Sequence, residues 1–429
     1  MIRKMIWGVL LVLMMAGTSW AADFDDFFMD DLFVDLEVDE GGLAPEEALL
    51  VQERLVVGGS YSLSFNASRI SIESREPSSQ WRGAMGGQLY LDARPDPNFR
   101  VFGKAGLNYS LSDGGADVQV KVQELFADFN YGNKVFFRAG KQNVKWGAGY
   151  FYSPADIINI GRIDPLDPEA EREGPVALKA HYPKGSNNYY LYTLVDSTKE
   201  DVRIAFAPKM ELVLGKSELG LGGFYKQDQV PRLMATLSSS FGDVGFFGEA
   251  VLSFGSQRGF LEQRGPLYEI VEKEGLFLQL TAGGMYRFRD REGNLDLSAT
   301  FQYYFNGEGY GDQEGIKKVR QALLKGELPP VLNPQKLGTL ALTGSGRHYA
   351  AGSLSWNSIL GSKLSASVLV QANLSDQSGI AYAVLRLPEW HKLSPSIGVS
   401  TNFGPSGSEF GATGRTVTLF AAVSISGAF

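Results

Sequence analysis

The most constraining feature of the sequence is a regular alternation of apolar and polar residues in segments of ten to fourteen residues. From residue 55 to residue 68, for example, Leu, Val, Tyr and Phe alternate with Ser, Asn and Gly. Successive side chains of a β-strand point to opposite faces, so one face of such a strand suits lipid and the other suits water. Strands of soluble sandwiches usually run about 5–6 residues, whereas a membrane-crossing strand needs about 9–11. The segment lengths therefore favour membrane-spanning strands over a soluble β-sandwich or jelly roll.

The same pattern recurs along the chain and predicts 18 strands, with edges uncertain by about two to four residues. Two segments, 187–196 and 377–387, alternate only weakly, so a count of 14 or 16 strands is the alternative. Segment 118–131 changes face near Gln123 and Glu124, which predicts a β-bulge there. The predicted strands are 55–67, 81–93, 99–111, 118–131, 134–146, 175–182, 187–196, 202–214, 218–227, 231–241, 244–254, 275–289, 294–306, 346–360, 364–374, 377–387, 393–403 and 415–429.

The connections between these strands differ in length in a regular way. Those after even-numbered strands are all short and rich in Gly, Asn, Asp and Pro, which is typical of tight turns. The long ones, such as 147–174, 255–274 and 307–345, all follow odd-numbered strands. Transmembrane barrels of the outer membrane have short periplasmic turns and long extracellular loops. We therefore predict an all-β fold, a transmembrane antiparallel up-and-down β-barrel of about 18 strands (range 14–18), with both termini in the periplasm.

The N-terminal residues predict export. Arg3 and Lys4 precede an apolar run over 6–16, and small residues flank a cleavage point after Ala21. This pattern is typical of a secretory signal peptide, and the alternative is a buried N-terminal helix. We expect three parts: a signal peptide at 1–21, an acidic periplasmic N-terminal segment at 22–53, and an outer-membrane β-barrel at 54–429.

Charge and cysteine content exclude several function classes. The formal net charge of −8 is concentrated in residues 23–47, which hold 11 acidic and no basic residues, and the remainder of the mature chain is near neutral. The sequence therefore lacks the basic footprint of a nucleic-acid-binding protein. Cysteine is absent, which excludes disulfides and thiol chemistry. The three histidines lie far apart without metal-ligand spacing, so we expect no metal, no cofactor and no enzyme activity.

Two segments fall outside the strand pattern. The acidic segment carries Phe24, Phe27, Phe28 and Phe33 among its carboxylates, so it is either a solvated tail or a plug or handle for a partner. The connection 307–345 contains a helical stripe of Ile316, Val319, Ala322 and Leu323, with Arg320 and three lysines elsewhere, and it ends at Gly326. We expect a short amphipathic helix that either folds into the barrel mouth or caps the rim.

The most distinctive stretch reads Gly-Lys-Gln-Asn-Val-Lys-Trp-Gly at 140–147, followed by Tyr-Ser-Pro-Ala-Asp at 152–156. It resembles porin-like outer-membrane barrels in which a strand ends in a G-K-Q-x-x-x-W-G pattern before a long loop. The resemblance implies a porin-type or export-channel barrel without naming a substrate. We expect Trp146 at the extracellular membrane interface, and the motif either anchors the loop or contacts solute. The candidate loop-anchoring residues are Gly140, Lys141, Gln142, Trp146 and Gly147.

Charged side chains predict where solutes would be selected. An inward-folded acidic loop facing basic lumen residues would set a transverse field across the channel. Their mixed signs argue against strong anion or cation selectivity. The candidate pore or constriction residues are Arg100, Lys104, Lys121, Lys179, Arg203 and Arg287 on the strands, and Asp164, Asp167, Glu169, Glu171 and Glu173 on the loop.

The sequence favours a porin-like channel for passive diffusion of small hydrophilic solutes in the bacterial cell outer membrane. One alternative is a substrate-specific or gated transporter or exporter with a plug, and a further alternative is a surface-exposed structural or adhesive barrel. The expected partners are outer-membrane lipid, the small hydrophilic solute and the barrel-assembly machinery, because the chain ends in an alternating strand and Phe429. The sequence does not decide between a monomer and a homo-oligomer.

Overall fold

The chain folds into one closed sheet of 18 antiparallel strands, which confirms the predicted class and strand number. The computed structural model describes residues 55–72, 76–159, 163–166, 168, 173–197, 202–290, 296–412 and 414–429. Two further strands, β12 and β13, form a separate hairpin. In chain order the strands are β1 (Leu55–Ile72), β2 (Ser78–Asp96), β3 (Phe99–Ser112), β4 (Gly115–Tyr131), β5 (Val135–Lys141), β6 (Val176–Lys184), β7 (Asn187–Ser197), β8 (Val202–Leu214), β9 (Ser217–Lys226), β10 (Arg232–Phe241), β11 (Val244–Phe254), β12 (Gly259–Arg264), β13 (Leu267–Glu272), β14 (Leu276–Arg289), β15 (Asp296–Asn306), β16 (His348–Asn357), β17 (Ser365–Asn373), β18 (Ser378–Arg386), β19 (Ser394–Phe403) and β20 (Thr416–Ala428).

The barrel closes where its first and last strands pair. Leu63 of β1 lies opposite Met85 of β2 on one side and Ile425 of β20 on the other. Two backbone hydrogen bonds of 3.0 and 2.9 Å join Gly59 to the last residue, Phe429. Every other barrel strand pairs with its neighbours in the chain, β11 pairing with β14 across the hairpin. A closed sheet leaves no strand edge with unsatisfied backbone groups in hydrocarbon.

The outer surface of the barrel is apolar. The outward positions are those that the alternation assigned to the lipid face, and their side chains are exposed to the surroundings of the barrel. Some exposed aromatic side chains lie near strand ends, such as Tyr131 and Phe241 at the end with short turns and Trp81 and Phe254 at the other end, as in the girdles of membrane barrels. The exposed outward residues include Leu63, Leu89, Leu107, Leu125, Leu191, Phe206, Leu237, Phe246, Leu278, Phe301, Leu354, Val370, Ile397 and Leu419.

The connections confirm the predicted asymmetry. Turns at one end, such as 97–98, 185–186 and 242–243, have two residues, whereas the other end carries the connections 142–175, 255–275 and 307–347. The connection 255–275 contains the hairpin β12–β13, which the sequence pattern did not predict. The connection 307–347 contains helix α1 (Glu314–Leu324) and a 3-10 helix (Pro334–Thr339). Among the described residues, no helix has the length and apolar character needed to cross a bilayer.

Two local predictions about strands can be compared directly with the structure. The bulge is confirmed: Lys104 pairs with Glu124 and Ala105 with Val122, so Gln123 is the extra residue. The predicted strand 134–146 is wrong in its second half, because β5 ends at Lys141.

Helix α1 is confirmed, but its buried stripe includes Arg320, and Leu323 is exposed. Ile316, Val319 and Ala322 are buried as predicted. The guanidinium of Arg320 is buried because it has carbonyl partners in other loops. The predicted signal peptide and acidic segment lie outside the described residues.

The barrel predicts a depth-dependent penalty on its outer face. Arginine in place of Leu63, in the middle of β1, would place a charge in hydrocarbon at a cost of about 2–4 kcal/mol. The free energy of unfolding in lipid vesicles, measured by denaturant titration, should fall by that amount. The control is Ser64→Arg, which adds the same side chain on the lumen face of the same strand. Equal losses in both variants would contradict the assignment of faces.

Candidate functional site

The long connection after β5, residues 142–175, leaves the barrel wall at a sharp bend; we call it the inward loop. Gly140 has φ +134°, and a Cβ there would lie 2.2 Å from the carbonyl oxygen of Leu125, so only glycine fits without strain. The two ends of the loop are joined next to this bend. The amide nitrogen of Gln142 donates to the Pro175 carbonyl at 3.1 Å, and its side-chain amide donates to the Ala177 carbonyl at 3.0 Å.

Trp146 lies inside the barrel, so the prediction that it sits at the membrane interface is wrong. Its side chain is 1% exposed and meets the Tyr192 ring edge-on, with 5.0 Å between ring centroids. Its indole N–H donates to the sulfur of Met234 at 2.7 Å. Lys209 donates from Nζ to the Trp146 carbonyl at 2.9 Å. The ring therefore anchors the start of the inward loop to the inner faces of β7 and β10.

One carboxylate on β11 holds the middle of the inward loop. Glu249 Oε1 accepts hydrogen bonds from the backbone N–H groups of Ala148 and Gly149, both at 2.6 Å, and from Ser153 Oγ at 2.7 Å. Its other oxygen accepts from the Ala155 amide at 2.8 Å. The side chain is 4% exposed. Charge-assisted hydrogen bonds of this kind are the strong class, so this residue orders a turn of loop backbone.

A side-chain amide on β15 holds the next part of the loop. Gln302 Oε1 accepts from the backbone N–H groups of Tyr150 at 3.1 Å, Phe151 at 2.6 Å and Tyr152 at 3.2 Å. Its Nε2 donates to the Tyr152 carbonyl and to Thr281 Oγ1. The residue is fully buried, so both ends of its amide are used between barrel wall and loop.

Apolar contacts carry the loop further around the inner wall. Phe151 is fully buried against Ala351 of β16 and Leu369 of β17. Leu166 packs against a cluster on β18 and β20 that contains Ile380, Tyr382 and Phe420. The inward loop thus starts at β5 and reaches strands more than 200 residues later in the chain. It forms a shelf across the lumen.

The end of the inward loop is tied to the wall by ion pairs. Glu173 lies 2.6 Å from Lys141 Nζ and 2.9 Å from Lys121 Nζ. Hydrogen bonds from Lys141 and then Lys121 lower the pKa of Glu173 below its usual range. Lys141 belongs to the predicted loop-anchoring motif, and Lys121 and Glu173 were predicted pore residues.

A ladder of alternating charges lies on the lumen side of β2 to β5, toward the periplasmic end. Arg100 forms a bidentate pair with Asp92, with N–O distances of 2.9 and 3.0 Å, and contacts Asp128 at 3.2 Å. Arg138 continues the ladder to Asp128 at 2.7 Å, and Arg94 joins Asp92. Arg100 is fully buried, and its guanidinium carbon lies 5.0 Å from the Phe102 ring centroid. This charge therefore acts within the wall, where its partners compensate for the loss of hydration.

The other predicted residues lie apart from one another. Lys179 Nζ lies 5.1 Å from the Tyr190 ring centroid, a cation–π contact on the lumen wall. Lys104 is half-buried on β3, and Arg203 is exposed on β8. Arg287 pairs with Asp296 at 3.3 Å at the periplasmic end. Asp164 accepts from the Leu166 amide at 2.9 Å within the inward loop. Asp167, Glu169 and Glu171 lie outside the described residues.

Above the barrel, the extracellular connections form a second buried polar cluster. Glu409, between β19 and β20, accepts from Tyr349 Oη and Asn373 Nδ2 at 2.7 Å each, and from the Gly344 amide at 2.6 Å. Burial raises the pKa of Glu409 above its usual range. Arg320 of α1 donates to the Gly407 carbonyl at 2.6 Å. Helix α1, two extracellular connections and the barrel rim are thereby joined.

Glu249 and Gln302, the two residues that hold the inward loop, were not among the predicted site residues. Alternation placed Glu249 on the lumen face, but a lumen carboxylate is ordinarily solvated. A weak signal was present, since Glu249 is flanked at inward positions by the apolar Phe247 and Val251. Gln302 carries no comparable signal, because amides are common on lumen faces.

Comparison with known proteins shows which solved structures share this fold. The sequence matches no known protein-family model and no curated protein. The structure is similar to OccK2 (OpdF) of Pseudomonas aeruginosa, with a TM-score of 0.50 and 12% identity, covering 88% of this chain and 100% of that one. It is also similar to OccAB1 of Acinetobacter baumannii, with a TM-score of 0.48, 11% identity and coverages of 87% and 97%. A third similar structure is OmpT, an outer membrane protein of Vibrio cholerae, with a TM-score of 0.39, 9% identity and coverages of 87% and 100%. At 12% identity the likeness to OccK2 shows the fold alone, a closed antiparallel β-barrel.

Removal of the Glu249 carboxylate should release the inward loop. Glu249→Ala leaves three backbone N–H groups without their acceptor, and hydrogen bonds to charged groups are worth about 1.5–3 kcal/mol each. We expect amide hydrogen exchange at Ala148, Gly149 and Ala155 to rise by at least roughly tenfold, measured by mass spectrometry. Glu218→Ala, an exposed carboxylate on β9, is the matched control. Unchanged protection in Glu249→Ala would contradict the role of this residue.

Acid should loosen the end of the inward loop through Glu173. Because its pKa is lowered in the folded loop, its ion pairs contribute fully above the ordinary glutamate value of 4.5. That contribution is lost as the pH falls through the lowered pKa. Amide exchange around residues 173–175, corrected for its intrinsic pH dependence, should therefore increase as the pH drops below about 4.5. Glu173→Gln should show the loosened state at neutral pH and no further acid response. An acid response equal to that of the unmodified protein would exclude Glu173 as its source.

Proposed function

We propose that the chain is a porin-like channel of the bacterial outer membrane, through which small hydrophilic solutes diffuse passively. The observation that carries this proposal is the inward loop, held across the lumen by Glu249 and Gln302. Residues 1–21 are proposed to be a cleaved signal peptide and residues 54–429 the barrel. Lipid and the barrel-assembly machinery are the proposed partners in biogenesis. The proposal is compatible with a monomer and with a homo-oligomer.

Barrel size and loop position together support a narrowed channel. Sheets of 16–18 strands enclose an aqueous channel, whereas eight strands leave an interior filled by side chains. An inward loop reduces that opening without the cost of packing the whole lumen. Its described part 142–159 is held by buried hydrogen bonds and by the Trp146 cluster, and we infer that this part acts as a fixed constriction. A rigid constriction selects solutes mainly by size.

The inner wall has two unlike halves. The half formed by β2 to β11 carries charges of both signs, and the half formed by β16 to β20 and β1 carries mainly hydroxyl side chains. Mixed signs favour a channel without strong ion selectivity. The charged half includes Asp92, Arg100, Lys104, Glu124, Asp128, Arg138, Lys179, Arg203, Lys209, Glu211 and Glu249, and the hydroxyl half includes Ser62, Ser64, Ser353, Ser365, Ser396, Ser400, Thr416, Thr418 and Ser424.

A second candidate is a gated transporter in which the acidic segment 22–53 acts as a plug. The charge of the segment suggests it, since residues 23–47 hold 11 acids and no base, and the charged half of the inner wall includes lysines and arginines beside its acids. The segment also directly precedes β1, whose first residue, Leu55, lies at the periplasmic end of the barrel.

Single-channel conductance separates the two candidates. The mature protein refolded into a planar bilayer should give stable open steps with and without residues 23–52, because the constriction is built by the inward loop. Glu249→Ala should give larger or noisier steps than Glu218→Ala. Silence of the full-length protein with steps after deletion would favour the gated transporter. Silence in both, with the barrel verified as folded, would overturn the channel proposal.

A further inference from the structure

A cavity of about 360 Å³ lies in the lumen against the hydroxyl half of the wall. It is bordered by inward residues of β17 to β20 and of β1, from near the middle of these strands to their periplasmic ends. Two of its lining residues, Tyr382 and Phe420, belong to the cluster that Leu166 of the inward loop contacts. The cavity therefore begins where the inward loop meets the wall, on the periplasmic side of that contact. Its volume falls within the range of about 300–1,000 Å³ found for small-molecule sites.

Two aromatic rings form the apolar part of the cavity wall. Tyr382 and Phe420 are stacked at 5.7 Å between centroids with an interplanar angle of 11°. Phe420 lies across Gly398, where a Cβ would come within 2.1 Å of the ring. The glycine thus lets the ring lie flat on the sheet. Both rings are largely buried, Tyr382 at 7% and Phe420 at 6% exposure, so only part of each ring borders the cavity.

The polar part of the cavity wall offers donors and acceptors. Asn66 borders the cavity with 8% of its side chain exposed, and its amide nitrogen has no hydrogen-bond partner in the structure. Buried amide groups without a partner are rare, and a ligand acceptor would satisfy this one. Hydroxyl groups of Ser365, Ser396 and Ser424 also border the cavity. These groups both donate and accept, as the hydroxyls of a ligand do.

The charges near the cavity are at its mouth. Lys363, Arg386 and Glu389 line it, and all three are exposed. One acidic group among two basic ones leaves little net attraction for an anion, and exposed charges are screened by salt. The aromatic and serine-lined part contains no charged side chain among the described residues. This distribution favours an uncharged ligand.

We infer that this cavity binds an uncharged, hydroxyl-rich ring of monosaccharide size. The C–H groups of the ring would contact the accessible parts of Tyr382 and Phe420, and its hydroxyls would contact Asn66 and the serines. The inference deepens the proposed channel function, since it adds a binding station after the constriction. Binding itself does not require conduction, so the two can be tested separately.

The test is a saturation-transfer NMR titration of D-glucose with the folded protein in lauryldimethylamine oxide, a detergent without a sugar headgroup. We expect saturable binding, weakened about tenfold by Phe420→Leu and by Asn66→Val, each losing one well-placed contact. The matched controls are Phe136→Leu and Asn108→Val, which make the same changes on the lumen face of β5 and β3. Folding of every variant is checked by circular dichroism and by heat-dependent gel migration. The controls should bind like the unmodified protein.

Comparison of ligands and of readouts separates the possible failures. Triethylene glycol, which lacks a hydroxyl-rich ring, should bind more weakly than glucose. No saturation by glucose, or equal binding in all four variants, would overturn the inferred site. Tighter binding of glucuronate than of glucose would overturn its assignment to an uncharged ligand. Conductance of the same preparations in potassium chloride tests the channel proposal independently, so silence there with intact glucose binding would remove the channel and leave the site.

Discussion

The structure depends on the closure of one sheet by its first and last strands. Hydrocarbon offers no hydrogen-bond partners, so every backbone N–H and C=O within it needs a partner inside the protein. The pairing of β1 with β20, from Ser60 opposite Ala428 to Ile72 opposite Thr416, removes the last open edges. Closure also encloses a lumen. The inward loop and the side chains on the inner wall then decide how that lumen is filled.

The inside is divided by a loop whose backbone is satisfied by wall side chains. A loop that crosses a lumen has no ladder partners, so its N–H groups need other acceptors. Glu249 and Gln302 accept hydrogen bonds from six of these N–H groups, and Trp146 and Phe151 add apolar contacts at two points. Because these holding points lie on well-separated strands, the loop is braced around the wall instead of hanging from its two ends.

The fold was largely predictable, and the candidate site was not. Alternation gave each strand its two faces independently of its neighbours, and even the bulge at Gln123 was visible as a change of face. Trp146 was misplaced because an amphipathic ring at the end of a predicted strand is typical of the membrane interface, whereas the chain leaves the wall at Lys141 and turns inward. Alternation places Glu249 on the lumen face but does not identify it as the residue that holds the loop, since its partners lie about 100 residues earlier.

The sequence by itself determined the barrel: a strand number within the range 14–18, the lipid and lumen faces, and the side with long loops. These are local properties, because a two-residue period and a turn composition can be read within one hairpin. Only the tertiary structure decided that the inward loop crosses the lumen, that Arg100 is buried between Asp92 and Asp128, and that Asn66 meets Tyr382 and Phe420 at one cavity. The loop and cavity contacts join residues far apart in the chain and depend on closure of the sheet, whereas Arg100 meets its partners through the pairing of β3 with β2 and β4.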